Sequence, residues 1–288
     1  MPRWLLYTLL TMIFWGGWGV VSKPLSNGLS AWQVQSWSTL GLLPVVVILL
    51  ASARLRQGGN LKRGFWQAFA AGAICSAGNV ACYHALGLGG KAAAVIPLTA
   101  LYPLVTIVLA LAFLRERFNA VQCAGIILSL AALYCFNVGG EGGFLSPWLA
   151  VAMVPIGLWG FGALLQKLAT AHVSAELVTT AFLLGFVPVA VFTPLFTTFQ
   201  WSLPGSTWLL LLLLGFLFGL GNLTVIYAYG ADGRASVVTP MASLYSLVTI
   251  PLAVLLLGEK VGVREGIGIV LALGAVVALS YEASKTSV

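Results

Sequence analysis

The chain has 288 residues, of which 60% are hydrophobic and 7% are charged, and its 14 basic and 7 acidic side chains give a net charge of +7. Since a soluble domain carries about 25% charged residues, this composition excludes a water-soluble protein. The basic excess does not indicate nucleic-acid binding, because the basic residues concentrate in predicted loops on one side of a membrane. We therefore predict an integral membrane protein whose partner is the lipid bilayer, with no nucleic acid.

Ten apolar segments are long enough to cross a bilayer, since a helical span needs about 20 residues. They are predicted as helices because none alternates polar and apolar residues as a barrel strand does. The first segment continues through Val21 and carries a motif that recurs later, so we interpret it as a retained span rather than a signal peptide. In chain order the segments are residues 4–25, 31–53, 65–88, 92–114, 119–138, 148–169, 174–198, 206–229, 235–257 and 262–282.

The loop charges predict the orientation in the membrane. With the N-terminus inside, the cytoplasmic loops carry ten basic residues and the outer loops carry four. Basic residues are enriched in cytoplasmic loops. We therefore predict a multi-pass protein of a bacterial-type inner membrane with both termini in the cytoplasm.

The sequence repeats itself. Asn79–Leu128 aligns with Asn222–Leu271 at a shift of 143 positions, and Trp15 aligns with Trp159 at a shift of 144. Five predicted spans per repeat is an odd number, so the second repeat enters the membrane in the opposite direction. The predicted fold is an all-α membrane protein with ten transmembrane helices arranged as two inverted five-helix repeats. The repeats comprise residues 1–140 and 146–284.

Several motifs occur once in each repeat. The first repeat has Pro103–Val105, Leu114–Phe118, Gln122 and Gly125, and the second has Leu257–Val261 and Gly268. Each repeat opens with Trp-Gly and a later lysine, at Trp15, Gly16 and Lys23 and again at Trp159, Gly160 and Lys167.

This pattern resembles two tandem EamA-like domains of the drug/metabolite transporter superfamily. The resemblance implies a ten-helix carrier with alternating access, commonly one that exports amino acids or related metabolites. One departure is that Ser246 replaces Pro103 in the second repeat, while Pro251 stands at the position of Val108. The resemblance therefore predicts the fold more sharply than the substrate.

Polar and aromatic side chains at matched positions deep in the spans are the candidate substrate-binding residues. Buried amides and phenols need polar partners, which neighbouring helices or a wet cavity can supply. For each asparagine a hydrogen bond between helices is the alternative, and for Trp15 and Trp159 close packing is favoured. The matched pairs are Trp15 with Trp159, Asn79 with Asn222 and Tyr102 with Tyr245, and the secondary candidates are Trp18, Tyr83, His84 and Tyr227, the last of which replaces His84 in the second repeat.

Lys23 and Lys167 occupy matched positions near opposite membrane surfaces. One interpretation is that both extend to the lipid headgroups. The other is that they are gating cations that attract an anionic or zwitterionic substrate to each mouth. The sequence leaves both open.

The positions of the acidic residues and the number of histidines limit the classes of function that the sequence allows. All seven acids are predicted in loops or at helix ends, and the chain has two histidines, so the sequence offers no catalytic constellation and we predict no enzyme, cofactor or metal site. A secondary transporter of neutral or aromatic amino acids is favoured, by export or facilitated exchange. A sugar transporter is the alternative, and a channel is less favoured. The sequence leaves the oligomeric state undetermined and is compatible with a monomer.

Overall fold

The computed structural model describes residues 2–105, 109, 120–136, 146–195, 197–231, 238, 241–279 and 281. The regular elements in these ranges are helices. The described residues also contain an isolated antiparallel bridge between Gly58 and Val173. The first repeat contains α1 (Arg3–Gly28), α2 (Ala31–Ser38), α3 (Leu43–Leu50), α4 (Leu61–Gly87), α5 (Ala92–Thr99) and α6 (Ala120–Phe136). The second contains α7 (Pro147–Thr170), α8 (Ala175–Leu184), α9 (Phe186–Phe192), α10 (Gly205–Gly230), α11 (Ser246–Leu257) and α12 (Val263–Leu279).

The all-α prediction is confirmed in the described residues. Five helical segments are long and apolar enough to cross a membrane: Arg3–Gly28, Ala31–Leu50, Pro147–Thr170, Ala175–Leu195 and Gly205–Ala228. Shorter apolar helices occupy Ala92–Val105, Ala120–Phe136 and Met241–Leu257. The total of ten spans stays a prediction.

The second span of each repeat is interrupted at the same place. A short 3₁₀ segment, Thr39–Leu42, separates α2 from α3, and Gly185 separates α8 from α9. Pro44 and its repeat match Pro188 follow these breaks. Because proline has no backbone N–H to donate to the preceding turn, each proline favours an interruption there.

Glycines of the third spans allow each interrupted span to pack closely against the third span of the other half. A Cβ atom added to Gly215 of α10 would overlap the Ser38 carbonyl, and one added to Gly72 of α4 would overlap the Phe182 carbonyl. Ser38 and Phe182 are repeat matches, so the same close backbone contact forms twice. The two halves therefore interleave.

Equivalent helices of the two halves point in opposite directions. The carboxyl end of α1 lies beside the carboxyl end of α4, because the Lys23 ammonium donates to the Leu86 carbonyl over 2.8 Å. The carboxyl end of α7 lies beside the amino end of α4, where Val173 contacts Gly64. Thus α1 is parallel to α4 and α7 is antiparallel to it, while the inversion of the two repeats in a membrane stays a prediction.

Loops predicted on the same side of the membrane contact each other. At one end, Gly59 N–H donates to the His172 carbonyl over 3.0 Å and Ser174 N–H donates to the Gln57 carbonyl over 2.9 Å. At the other end, the Lys91 loop meets the start of α12 through an ion pair with Glu265. The grouping of loops agrees with the predicted topology, while the assignment of one end to the cytoplasm stays a prediction.

The glycine contacts predict a specific stability defect. We expect Gly215→Ala and Gly72→Ala each to lower the free energy of unfolding by about 1–3 kcal/mol, since each new methyl would force a close-packed backbone apart. Gly157→Ala in α7 is the matched control, because a Cβ there meets nothing within 4 Å. The measurement is the temperature at which half of the purified protein leaves its monodisperse gel-filtration peak. Equal midpoints for the three variants would contradict this account.

Candidate functional site

Two matched Trp–Tyr pairs join the halves at the centre of the molecule. The Trp15 ring lies edge-on to Tyr245 with centroids 5.9 Å apart and planes at 79°. The Trp159 ring lies edge-on to Tyr102 with centroids 6.4 Å apart and planes at 84°. In each pair the tryptophan comes from one repeat and the tyrosine from the other. The structure therefore brings the predicted matched positions together across the repeat boundary.

The glycine after each tryptophan makes room for the partner tyrosine's turn. A Cβ at Gly160 would lie 2.7 Å from the Tyr102 carbonyl oxygen, and one at Gly16 would lie 3.0 Å from the Tyr245 carbonyl oxygen. Real Cβ atoms tolerate such distances poorly because the backbone carbonyl cannot move aside. The Trp-Gly motif of each repeat is thus a contact surface for the opposite half.

Each indole also lies on the glycine that precedes a candidate asparagine. A Cβ at Gly78 would come within 2.6 Å of the Trp159 indole, and Gly221 meets Trp15 in the same way. Gly78 precedes Asn79, and Gly221 precedes Asn222. Each central tryptophan is therefore held between the third span and the tyrosine of the opposite half.

The two indoles differ in their hydrogen bonds. Trp159 Nε1 donates to the Cys75 carbonyl over 3.2 Å. The matched Phe218 carbonyl instead accepts the side-chain amide of Asn222 over 2.8 Å. Trp15 Nε1 has no acceptor among the described residues. The two Trp–Tyr pairs are therefore arranged alike, but the hydrogen bonds of the two indole N–H groups differ.

Trp18 joins the Trp159 side of this arrangement in an aromatic cluster, defined as Trp18, Tyr83, Trp159 and Phe218. Its ring centroid lies 6.0 Å from Tyr83, 5.9 Å from Trp159 and 5.8 Å from Phe218. Its indole Nε1 donates to the Tyr83 hydroxyl over 2.9 Å. Trp18 and Tyr83 are each 2% exposed, so the cluster is closed by its own packing.

Three predicted site residues, His84, Tyr227 and Lys167, are part neither of the Trp–Tyr pairs nor of the aromatic cluster. His84 is exposed on α4, so we leave it out of the proposed site. Tyr227 packs against Tyr7, with ring centroids 5.8 Å apart. Tyr7 lies about 12 Å along α1 from Trp15. The side chain of Lys167 lies outside what the structure describes, although its backbone belongs to α7.

Sequence reasoning missed a polar stretch in α2. Gln33, Gln35, Ser36 and Ser38 are all buried in a membrane span. Two glutamines and two serines within six residues are costly in lipid unless they face protein or water, and that cost was the available signal. Gln33 Nε2, Gln35 Oε1 and Ser36 Oγ have no partner among the described residues.

Lys23 is tied to the protein rather than extended to headgroups. Its ammonium, half-buried, binds the Leu86 carbonyl near the carboxyl end of α4, where the helix dipole favours a cation. Glu259 of the second repeat also attracts it. Glu259 belongs to an ionic contact between the halves.

That contact, the inter-half lock, consists of Lys91, Glu259 and Glu265. The Glu259 carboxylate accepts the N–H groups of Ala92 and Ala93 over 2.8 and 2.9 Å, which caps the amino end of α5. The Lys91 ammonium binds Glu265 over 2.7 Å.

The residues of the inter-half lock are not all repeated at the matching positions of the other repeat. Gln122 is the repeat match of Glu265, so the carboxylate of the Lys91 ion pair is replaced there by a neutral amide. Glu116, the match of Glu259, lies outside the described residues.

Two cavities lie away from the aromatic cluster. One of about 330 Å³ is lined by residues of α2 and α9 with the segment that follows α9, including Trp32 and Phe192. The other, of about 380 Å³, adjoins the inter-half lock at Lys91 and Glu265. Neither is lined by the predicted substrate-binding residues.

Helical repeats that meet at matched side chains are typical of membrane transporters of small molecules. The chain belongs to the EamA-like transporter family, whose model matches residues 2–138 and 146–281. The family and the two tandem segments agree with the resemblance seen in the sequence. None of the curated proteins compared matches this chain.

The fold is also similar to that of a solved structure described as "Crystal structure of protein". The TM-score is 0.66 at 17% sequence identity, and the match covers 95% of this chain and 94% of the other. At this identity the similarity concerns the fold alone.

The inter-half lock predicts a measurable opening. We expect the double variant Glu259→Gln, Glu265→Gln to separate spin labels placed at the exposed positions Leu88 and Val263, because the ion pair and the charged helix cap are lost together. Lys260→Gln is the control, since Lys91 contacts the backbone carbonyl of Lys260. The measurement is the distance distribution by pulsed electron paramagnetic resonance. Identical distributions for all three proteins would rule out a lock.

Proposed function

We propose that the protein is a secondary transporter that moves a neutral or aromatic amino acid, or a related metabolite, by alternating access. The observation that carries the proposal is the reciprocal pairing of Trp15 with Tyr245 and of Trp159 with Tyr102 across the two halves. A group held by both halves at once is the position at which a substrate can be passed from one mouth to the other.

Alternating access requires the halves to move relative to each other. The close glycine contacts of α4 and α10 support such movement, because smooth backbone surfaces slide without side chains to interlock. The inter-half lock lies at one end of the molecule, so releasing it opens that end. The aromatic cluster then becomes reachable from one side at a time.

The chemistry of the cluster supports an amphipathic substrate of modest size. Aromatic ring faces bind apolar and cyclic groups. Asn79 of α4 lies buried on the same helix as Tyr83 and supplies polar atoms beside the rings. No carboxylate contacts the cluster among the described residues, which favours export or facilitated exchange without a deep acid as proton carrier.

The proposal includes the orientation. With both termini in the cytoplasm of a bacterial-type inner membrane, the loops of Lys91 and Glu265 face outward. The structure then corresponds to a carrier closed at its outer mouth.

Counterflow tests the proposal. Purified protein in liposomes preloaded with one amino acid is expected to take up labelled neutral or aromatic amino acids faster than empty liposomes, because a carrier exchanges substrate. Tyr102→Ala and Tyr245→Ala are expected to weaken apparent affinity by about tenfold or more, from the lost ring contact and hydroxyl together. Asn79→Ala is expected to do the same through its amide.

Tyr134→Ala is the matched control, because this tyrosine is exposed on α6. Uptake that shows no acceleration by internal substrate would indicate a channel instead. Exchange of sugars in the same panel, with no amino acid exchanged, would replace the proposed substrate class. Unchanged affinity in all three site variants would reject the site.

A further inference from the structure

Three buried polar side chains of α2 and α4 in the first half each have an unpartnered atom. They are Gln35 of α2 and Ser76 and Asn79 of α4, each at most 1% exposed. Gln35 Oε1, Ser76 Oγ and Asn79 Oδ1 have no hydrogen-bond partner within the part of the chain that the structure describes. A buried polar atom without a partner is costly, and the cost is recovered when a ligand supplies the missing bond.

The orientation of the Gln35 amide is fixed by Thr39. The Thr39 hydroxyl donates to the Gln35 backbone carbonyl over 2.8 Å, so it can only accept from the side chain. Gln35 Nε2 donates to that hydroxyl over 3.3 Å. The Oε1 atom is therefore the free atom of this amide, and a carbonyl oxygen can only accept.

These residues belong to one surface, which we call the first-half polar face. Ser76, Asn79 and Tyr83 are three and four residues apart and so share one side of α4. The Tyr83 hydroxyl, which accepts the Trp18 indole, also interacts with Asn79 and with Ser38 of α2. Ser38 is three residues from Gln35 and lies on the same side of α2. The polar sides of α2 and α4 thus meet at Tyr83, within the aromatic cluster.

The second half does not repeat this face. Thr179 replaces Gln35, and its hydroxyl is bonded to the Ala175 carbonyl. Gly219 replaces Ser76. Asn222 is retained, but its amide donates to the Phe218 carbonyl within its own helix. The matched positions of the second half therefore do not repeat this set of three unpartnered acceptor atoms.

We infer that the first-half polar face binds a primary ammonium group of the substrate, with the rest of the molecule against the aromatic cluster. This inference rests on the proposed transport function. Two carbonyl oxygens and one hydroxyl oxygen offer three acceptors, and a primary ammonium has three N–H donors. The nearby Trp18, Tyr83 and Trp159 rings also attract a cation. A neutral hydroxyl supplies one donor and would leave two acceptors without partners.

A ligand series on the unaltered protein tests the inference without relying on variants. Binding to detergent-purified protein is followed by intrinsic tryptophan fluorescence. The probes are L-phenylalanine, 2-phenylethylamine, 3-phenylpropionate, 3-phenyllactate and N,N,N-trimethyl-phenylalanine. We expect the two primary amines to bind and the other three to bind at least about tenfold more weakly, because each lost charged hydrogen bond costs about tenfold to a hundredfold. Equal affinity for the trimethylated compound or for the hydroxy acid would overturn the inference.

Variants then locate the group. Gln35→Leu and Asn79→Leu are expected to weaken binding of 2-phenylethylamine by about tenfold to a hundredfold. They should leave 3-phenylpropionate unaffected, because that compound has no ammonium group. Thr179→Val, the repeat match of Gln35, is the control that should leave all affinities unchanged. An equal loss for the amine and the acid in the leucine variants would indicate a general packing defect and overturn the assignment.

The two proposals fail in different ways. If wild-type protein exchanges sugars but no amine in counterflow, transport stands and the ammonium site is wrong. If wild-type protein exchanges nothing in counterflow yet binds the two amines selectively, the ammonium site stands and the transport function is wrong.

Discussion

The reciprocal contact between each Trp-Gly pair and the tyrosine turn of the opposite half is the constraint on which the rest of the structure depends. Neither half contains both sides of this contact, so neither can complete its own centre. Trp15 packs on Tyr245 and Gly221, and Trp159 packs on Tyr102 and Gly78. Because the partners belong to different repeats, the packing of the halves and the proposed substrate site depend on the same set of rings. A change that loosens the centre therefore also loosens the attachment of the halves.

Much of this arrangement could be predicted from the sequence, because the repeat acts as an internal alignment. Matched Trp, Tyr and Asn residues identified the central positions, and five predicted spans per half implied inversion. The sequence could not show that each tryptophan faces the other half's tyrosine, since that depends on how the halves interleave. His84 illustrates the limit. It is one residue from Tyr83, yet the turn of the helix leaves His84 exposed and Tyr83 buried.

The polar stretch of α2 was missed because the repeat was used as the guide. Gln35 and Ser38 have Thr179 and Phe182 at the matching positions. A search for residues that are the same in both repeats therefore does not find them. Duplicated carriers need symmetry to present two equivalent mouths, but a substrate with one charged end is itself asymmetric. Residues that read such an end are expected on one half only. Residues that differ between the repeats therefore help to identify the ligand. Residues that match help to identify the parts that move in the proposed cycle.

The replacement of Glu265 by Gln122 in the first repeat has a consequence for the proposed alternating-access cycle. An ion pair worth even about 1.4 kcal/mol at one mouth alone shifts the two access states by a factor of about ten. The empty carrier would then rest predominantly with one face closed, and its two return steps would run at different speeds. Such a bias cannot set the direction of net flux, which follows from the solute gradients. It sets instead the concentration range over which each side of the membrane saturates the carrier.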